Sequence, residues 1–158
     1  MSAIGSESAG PQSPVPGGLL PADERLADNE CWELLAEMRF GRLAVSAVGD
    51  VDIFPINFVV DGRDIVFRTS EGTKLMESVI CDVVAIETDD RNFETGVAWS
   101  VVAKGQAEMI ERFDDIYAAE RLNIKPWVDT PKERFVRVRV RNISGRRFYA
   151  APTSAAAS

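Results

Sequence analysis

Arg68, Thr69, Ser70, Thr73 and Lys74 fall within one short stretch, "FRTSEGTK" (67–74). Arginine offers a planar fork of donors, lysine a point charge, and the hydroxyls further donors. Together they form a set that recognises phosphate. Hydrogen bonds to a charged group contribute about 1.5–3 kcal/mol each, so three or four would hold a phosphate at about micromolar strength or better. Gly72 allows a close backbone turn, and a helix starting at Thr73 and Lys74 would add unpaired N–H groups and its dipole. The same residues also read as an ordinary strand–helix connection capped by Thr73, with solvated cations. The stretch has neither the Walker nor the dinucleotide-fingerprint spacing.

The chain has no histidine. That excludes Ser-His-Asp and Cys-His nucleophilic machinery, His-ligated zinc and proximal-His haem. Redox chemistry would have to come from a bound cofactor. Cys31 and Cys81 both lie in apolar stretches and read as buried thiols of a reducing compartment, with no metal site. A net charge of −7 argues against nucleic acid as a partner. No run approaches the roughly 18 apolar residues of a membrane span, and the N-terminus has no apolar secretory region. A cytoplasmic protein with no membrane partner is therefore expected.

Composition sets the boundaries of the part that folds. Residues 1–21 and 150–158 are rich in Ser, Gly, Pro and Ala and are expected to be disordered tails flanking one domain, 22–149. Asp28–Gly41 reads as a helix, with Asp28 as N-cap and Gly41 as its stop. Cys31, Leu34, Leu35 and Met38 form its apolar face. Strands are expected at 42–48, 51–60, 64–69, 81–89 and 97–110, joined by turns at Gly49–Asp50 and Asp61–Arg63. Pro55 inside a strand predicts an edge, a bulge or an interrupted ladder, and Gly105 a bulge or sharp bend. Short helices are expected at 73–80 and 111–122. A sixth strand begins at Arg134, with a seventh after Asn142. In it Val136, Val138 and Val140 face the core, while Arg137, Arg139 and Arg141 face water or a partner. In strand 64–69, Ile65, Phe67 and Thr69 share one face, and Val66 and Arg68 the other. The fold class is mostly β: a six- or seven-stranded antiparallel split barrel with flanking short helices.

Taken together, "FGRLAV", "DIFPINFVVDGRDIVFRTSEGTKL", "VVAIETDD", "TGVAWSVVAKGQAE" and "ISGRRF" resemble the FMN-binding split-barrel proteins of the pyridoxamine 5′-phosphate oxidase-like superfamily. The resemblance runs from about Glu30 to Phe148 and implies an FMN-dependent oxidoreductase. Its flavin phosphate would be held by Arg68, Thr69 and Lys74, with Thr73 beside them. The ring would lie against the backbone of Pro55, Ile56 and Asn57, with Phe67. The family binds its cofactor at a homodimer interface, to which Trp99 and Ser100 would contribute from the second subunit. Trp99 also reads as plain core packing. Arg146 and Arg147 would approach the phosphate or the ring, or lie on the surface. The family's named enzyme grips its substrate with a C-terminal Arg and His, whereas this chain ends "AAPTSAAAS", so pyridoxamine phosphate is not the expected substrate. The substrate or electron acceptor is then another small molecule, and no catalytic acid or base is assigned. Two alternatives are the deazaflavin F420, with its anionic tail along Arg137, Arg139 and Arg141, and a flavin-binding or storage protein without turnover.

Overall fold

The computed structural model describes residues 23–70, 80, 82–125 and 133–149. The flanking tails, the expected helix from Thr73 and Cys81 lie outside these residues. Seven strands run β1 Asp23–Arg25, β2 Phe40–Ala47, β3 Asp50–Asp61, β4 Asp64–Ser70, β5 Val83–Arg91, β6 Val97–Met109 and β7 Glu133–Tyr149. Two helices are described, α1 Asp28–Glu37 and α2 Phe113–Glu120. All pairings are antiparallel, in the order β1-β7-β4-β3-β2-β5-β6, and β6 also pairs with β7. That last pairing closes six strands into a barrel, which removes exposed sheet edges.

The barrel interior follows the alternation of each strand. Leu43 and Val45 of β2, Ile56 and Phe58 of β3, Ile65 and Phe67 of β4, and Val136 and Val138 of β7 are all buried in one core. Cys31 and Leu35 of α1 plug the same core. A second, smaller cluster lies outside the barrel wall, where Val66, Ile110, Ala119, Ile124 and Phe135 pack under α2.

Several boundaries differ from the sequence expectation. Helix α1 is capped at Ala27, with no side-chain cap bond, so Asp28 acts from the first turn. The helix ends at Glu37, and Gly41 belongs to β2, where a Cβ would stand 2.6 Å from the Glu87 carbonyl oxygen. Glycine is needed there to let β5 and Phe58 approach, not to stop a helix. The first turn is Val48–Gly49, both at positive φ, between the paired Ala47 and Asp50. Residues 134–148 form one continuous strand, and the seventh strand is β1, paired with its far end. The expected bulge is present: the β6–β7 register shifts at Lys104/Gly105. A Cβ on Gly105 would collide with the Arg139 carbonyl.

Candidate functional site

The barrel splits between β3 and β4. β3 pairs with β2 through Asn57, but with β4 only from Phe58 onward. β4 continues beside β7 to Ser70. Among the described pairings, Pro55–Asn57 and Arg68–Ser70 therefore face each other without a ladder. The Phe58 N–H donates to the Arg39 carbonyl at 3.0 Å, on the β2 side. Antiparallel alternation then turns the N–H and C=O of Asn57, and the C=O of Pro55, toward the split. Proline at 55 removes a donor that this side would leave without a strand partner. The ladder to β2 runs through Pro55 unbroken, so of the expected alternatives it is the edge that is seen, on the side facing β4.

The side chains of Asn57 and Arg68 leave the barrel on the same outer face. Asn57 Nδ2 donates to the Lys125 carbonyl at 2.8 Å, and Arg68 Nη1 to the Ile124 carbonyl at 3.2 Å. The Arg68 guanidinium also lies 5.2 Å from the centre of the Phe135 ring. Two predicted site residues are thus drawn to one short segment, residues 124–125. Beside them a cleft of about 390 Å³ opens beneath α2, with Arg68, Arg134, Glu111 and Glu120 at its polar positions and Ile116 and Phe135 on its apolar wall. Its volume lies within the roughly 300–1,000 Å³ of small-molecule sites.

The other predicted residues are placed as follows. Thr69 is half-buried and stands opposite Arg134. Pro55 is exposed, and Ile56 turns into the core. Phe67 is 1% exposed, and its backbone faces Phe58 on one side and Val136 on the other, so it holds the wall rather than lining the split. Thr73 and Lys74 lie outside the described residues. Trp99 and Ser100 pair with Arg147 and Arg146 at the opposite end of β7. Arg68 faces Phe135, so twelve positions of β7, about 40 Å of strand, separate the two groups. Within one chain the structure does not bring them together. Trp99 packs partly against the core, while Ser100 lines a second cleft of about 280 Å³ with Arg25, Ser144 and Arg146.

The five arginines from Arg137 to Arg147 on β7 have carboxylate or amide partners. Arg146 meets Asp23 at 2.6 Å, and Arg147 reaches Glu24 and Glu30, both at 3.4 Å. Arg137 bridges Asp61 and Asp64 at 3.0 and 3.2 Å, Arg139 meets Glu108 at 2.9 Å, and Arg141 donates to Gln106 at 3.3 Å. The arginine row is a zipper of cross-strand pairs. Burial pushes the fully enclosed Cys31 thiol above its ordinary pKa, and Asp28 and Glu30 add to the shift, so it is held as a thiol. Burial likewise raises Glu87, against the opposing Arg42 guanidinium at 2.9 Å.

Sequence reasoning missed Arg134, Phe135, Glu111, Glu120 and the 124–125 carbonyls. One signal was present. Phe135 shares its strand face with the arginine row, and Val66 shares one with Arg68. Apolar residues on a face otherwise assigned to water mark where another element covers it; here that element is α2.

A family model described as pyridoxamine 5′-phosphate oxidase matches residues 27–147. The chain belongs to the pyridoxamine 5′-phosphate oxidase family. Among solved members of similar fold is an FAD binding protein from Mycobacterium smegmatis, 39% identical, covering 81% of this chain and 100% of that one at a TM-score of 0.72. Another is a conserved protein of unknown function from Corynebacterium diphtheriae, 34% identical, covering 81% and 99% at a TM-score of 0.69. An uncharacterized protein of Mycobacterium tuberculosis is 40% identical over 94 residues, which is 60% of this chain and 84% of that one.

Proposed function

We propose that this chain is a flavin-dependent oxidoreductase that works as a homodimer on a small molecule other than pyridoxamine phosphate, with FMN as the minimal cofactor. The observation that carries the reading is the split itself. An arginine of the expected phosphate anchor stands at its rim, opposite a strand edge that offers one donor and two acceptors. Such an edge suits the donor–acceptor rim of an isoalloxazine ring, and Arg68 suits its phosphate. Thr69, and by sequence Thr73 and Lys74, extend the anchor. The flavin supplies the hydride chemistry; this chain's residues bind it, orient it and shield one side from water. The name of the 39% identical relative supports a flavin as well.

The separation of the two groups of predicted residues along β7 supports a homodimer. A site that included both Arg68 and Trp99 would draw them from two chains, since they pair near opposite ends of β7 in one. An apolar outer face is available for such a contact: Val51, Ile53 and Val83 are 69%, 65% and 67% exposed. The F420 alternative loses its supporting feature, since Arg137, Arg139 and Arg141 are engaged with Asp61, Asp64, Glu108 and Gln106.

Mass spectrometry of the small molecules that co-purify, followed by reduction of the bound cofactor with NAD(P)H and a panel of acceptors, tests the reading. A flavin that is reduced and reoxidised supports it. A flavin that is bound but never turned over leaves a storage protein. Co-purifying F420, or no flavin binding at all, overturns it.

A further inference from the structure

We infer that the outer face shared by β1, β7 and β6 carries a binding site for a small carboxylate anion, built on Arg25, Ser100 and Ser144. The site stands apart from the flavin reading and uses no residue of the split.

The register of the three strands carries the argument. Arg25 of β1 stands directly opposite Arg146 of β7, and Arg146 stands opposite Ser100 of β6. Ser144 lies two residues before Arg146 and opposite Val102. Strand alternation puts all five on one side of the sheet. That side is the outer one, because Val101, Ala103 and Ile143 beside them are buried in the barrel core. The five line the cleft of about 280 Å³.

Like charges placed directly opposite across a ladder destabilise it. Elsewhere on β7, Arg137 has Glu108 opposite, Arg139 has Asp64 and Arg147 has Glu24. Arg146 instead faces a second arginine. It is tied to Asp23 at 2.6 Å, and that carboxylate answers one of the two guanidiniums. The Arg25 guanidinium has no ion pair among the described residues. One positive charge is left over, beside two half-buried serine hydroxyls. An oxyanion there would relieve the opposed charges and accept hydrogen bonds from Arg25 and the hydroxyls. Arg146, held by Asp23, is a positioning residue.

The surroundings favour a single negative charge on an apolar frame. Asp89 lies opposite Ser100 and Glu87 opposite Val102, held by Arg42 at 3.2 and 2.9 Å. Two acids against one arginine make a border that opposes a phosphate dianion more than a monoanion. Val102, and Phe148 two residues past Arg146 and 39% exposed, supply apolar surface on the same face. Benzoate has the matching chemistry.

Calorimetric titration of the full chain with sodium benzoate at constant ionic strength tests the inference, with inorganic phosphate and FMN as comparisons. The expected result is benzoate binding at about millimolar strength or tighter, at least tenfold weaker in Arg25→Gln and weakened also in Ser144→Ala. Circular dichroism checks that both variants fold. Without benzoate, Arg25→Gln should melt at the same or a higher temperature, because the opposed charge is gone; a lower one marks a structural arginine and overturns the site. No benzoate binding, equal affinity in Arg25→Gln, or phosphate bound as tightly as benzoate also overturns it. FMN that displaces benzoate assigns this face to a flavin phosphate and does the same. Benzoate bound where FMN does not bind at all keeps the site and removes the flavin reading.

Discussion

Val48 and Pro55 show how a single residue is read correctly or misread. Proline in a strand signals an edge or an interruption, and Pro55 sits on the β3 edge that faces the split. Valine signals strand, yet Val48 occupies a turn at φ 51° with its side chain fully exposed. Hairpin geometry overrides its propensity, and the left-handed conformation costs about 1–2 kcal/mol for a side chain of this kind. Val48→Asn should therefore raise the melting temperature by roughly 4 °C, with no loss of packing. A calorimetric scan showing no change or a decrease would refute the strained turn. Glu87 gives a pH prediction. Its folded pKa is raised by burial, so the folded chain binds this proton more tightly than the unfolded one. Stability from this site is present below the ordinary carboxylate pKa and is lost as pH rises through the raised value. Urea unfolding from acid to neutral pH should show a shallower decline in Glu87→Gln than in wild type.

At the scale of elements, the strands with strict alternation were legible, and their inward faces are as expected. Three features were not. β1 is only three residues long, "DER", too short to show a period. β7 looked broken after Asn142, but the strand runs on, and Gly145 within it serves a close approach: a Cβ there would stand 2.8 Å from Cys31 Sγ. The cover over Arg68 comes from α2 and residues 124–125, whose contact with β4 is distant in sequence. α2 depends on the small outer cluster, which makes Phe135 its main support. Phe135→Ala should cost about 3–5 kcal/mol and loosen the cleft. Hydrogen exchange should show faster exchange in 113–124 than in β2 and β5; uniform acceleration would contradict the separate cluster. Gly41→Ala tests the β2–β5 approach. Its Cβ meets backbone at 2.6 Å, so the substitution should cost about 1–3 kcal/mol, read as a shifted denaturation midpoint.

At the scale of the whole molecule, the barrel places its two sets of predicted residues at opposite ends of β7. The sequence signalled both sets, but their separation by twelve positions along β7 only emerges once β7 is a single strand. In the proposed homodimer a second copy of the chain would complete the site. Sedimentation at micromolar concentration should give twice the chain mass, and Val51→Lys with Ile53→Lys should shift it toward monomer. Among the described residues no helix is long and apolar enough to cross a membrane.

The account turns on Arg68 as the anchor of a flavin phosphate at the split. The direct measurement is calorimetric titration of FMN into the purified full chain, wild type and Arg68→Gln, with circular dichroism on both. Binding at about micromolar strength or tighter, weakened at least tenfold in a folded Arg68→Gln, is the predicted result. Equal affinity in the two folded proteins would contradict it.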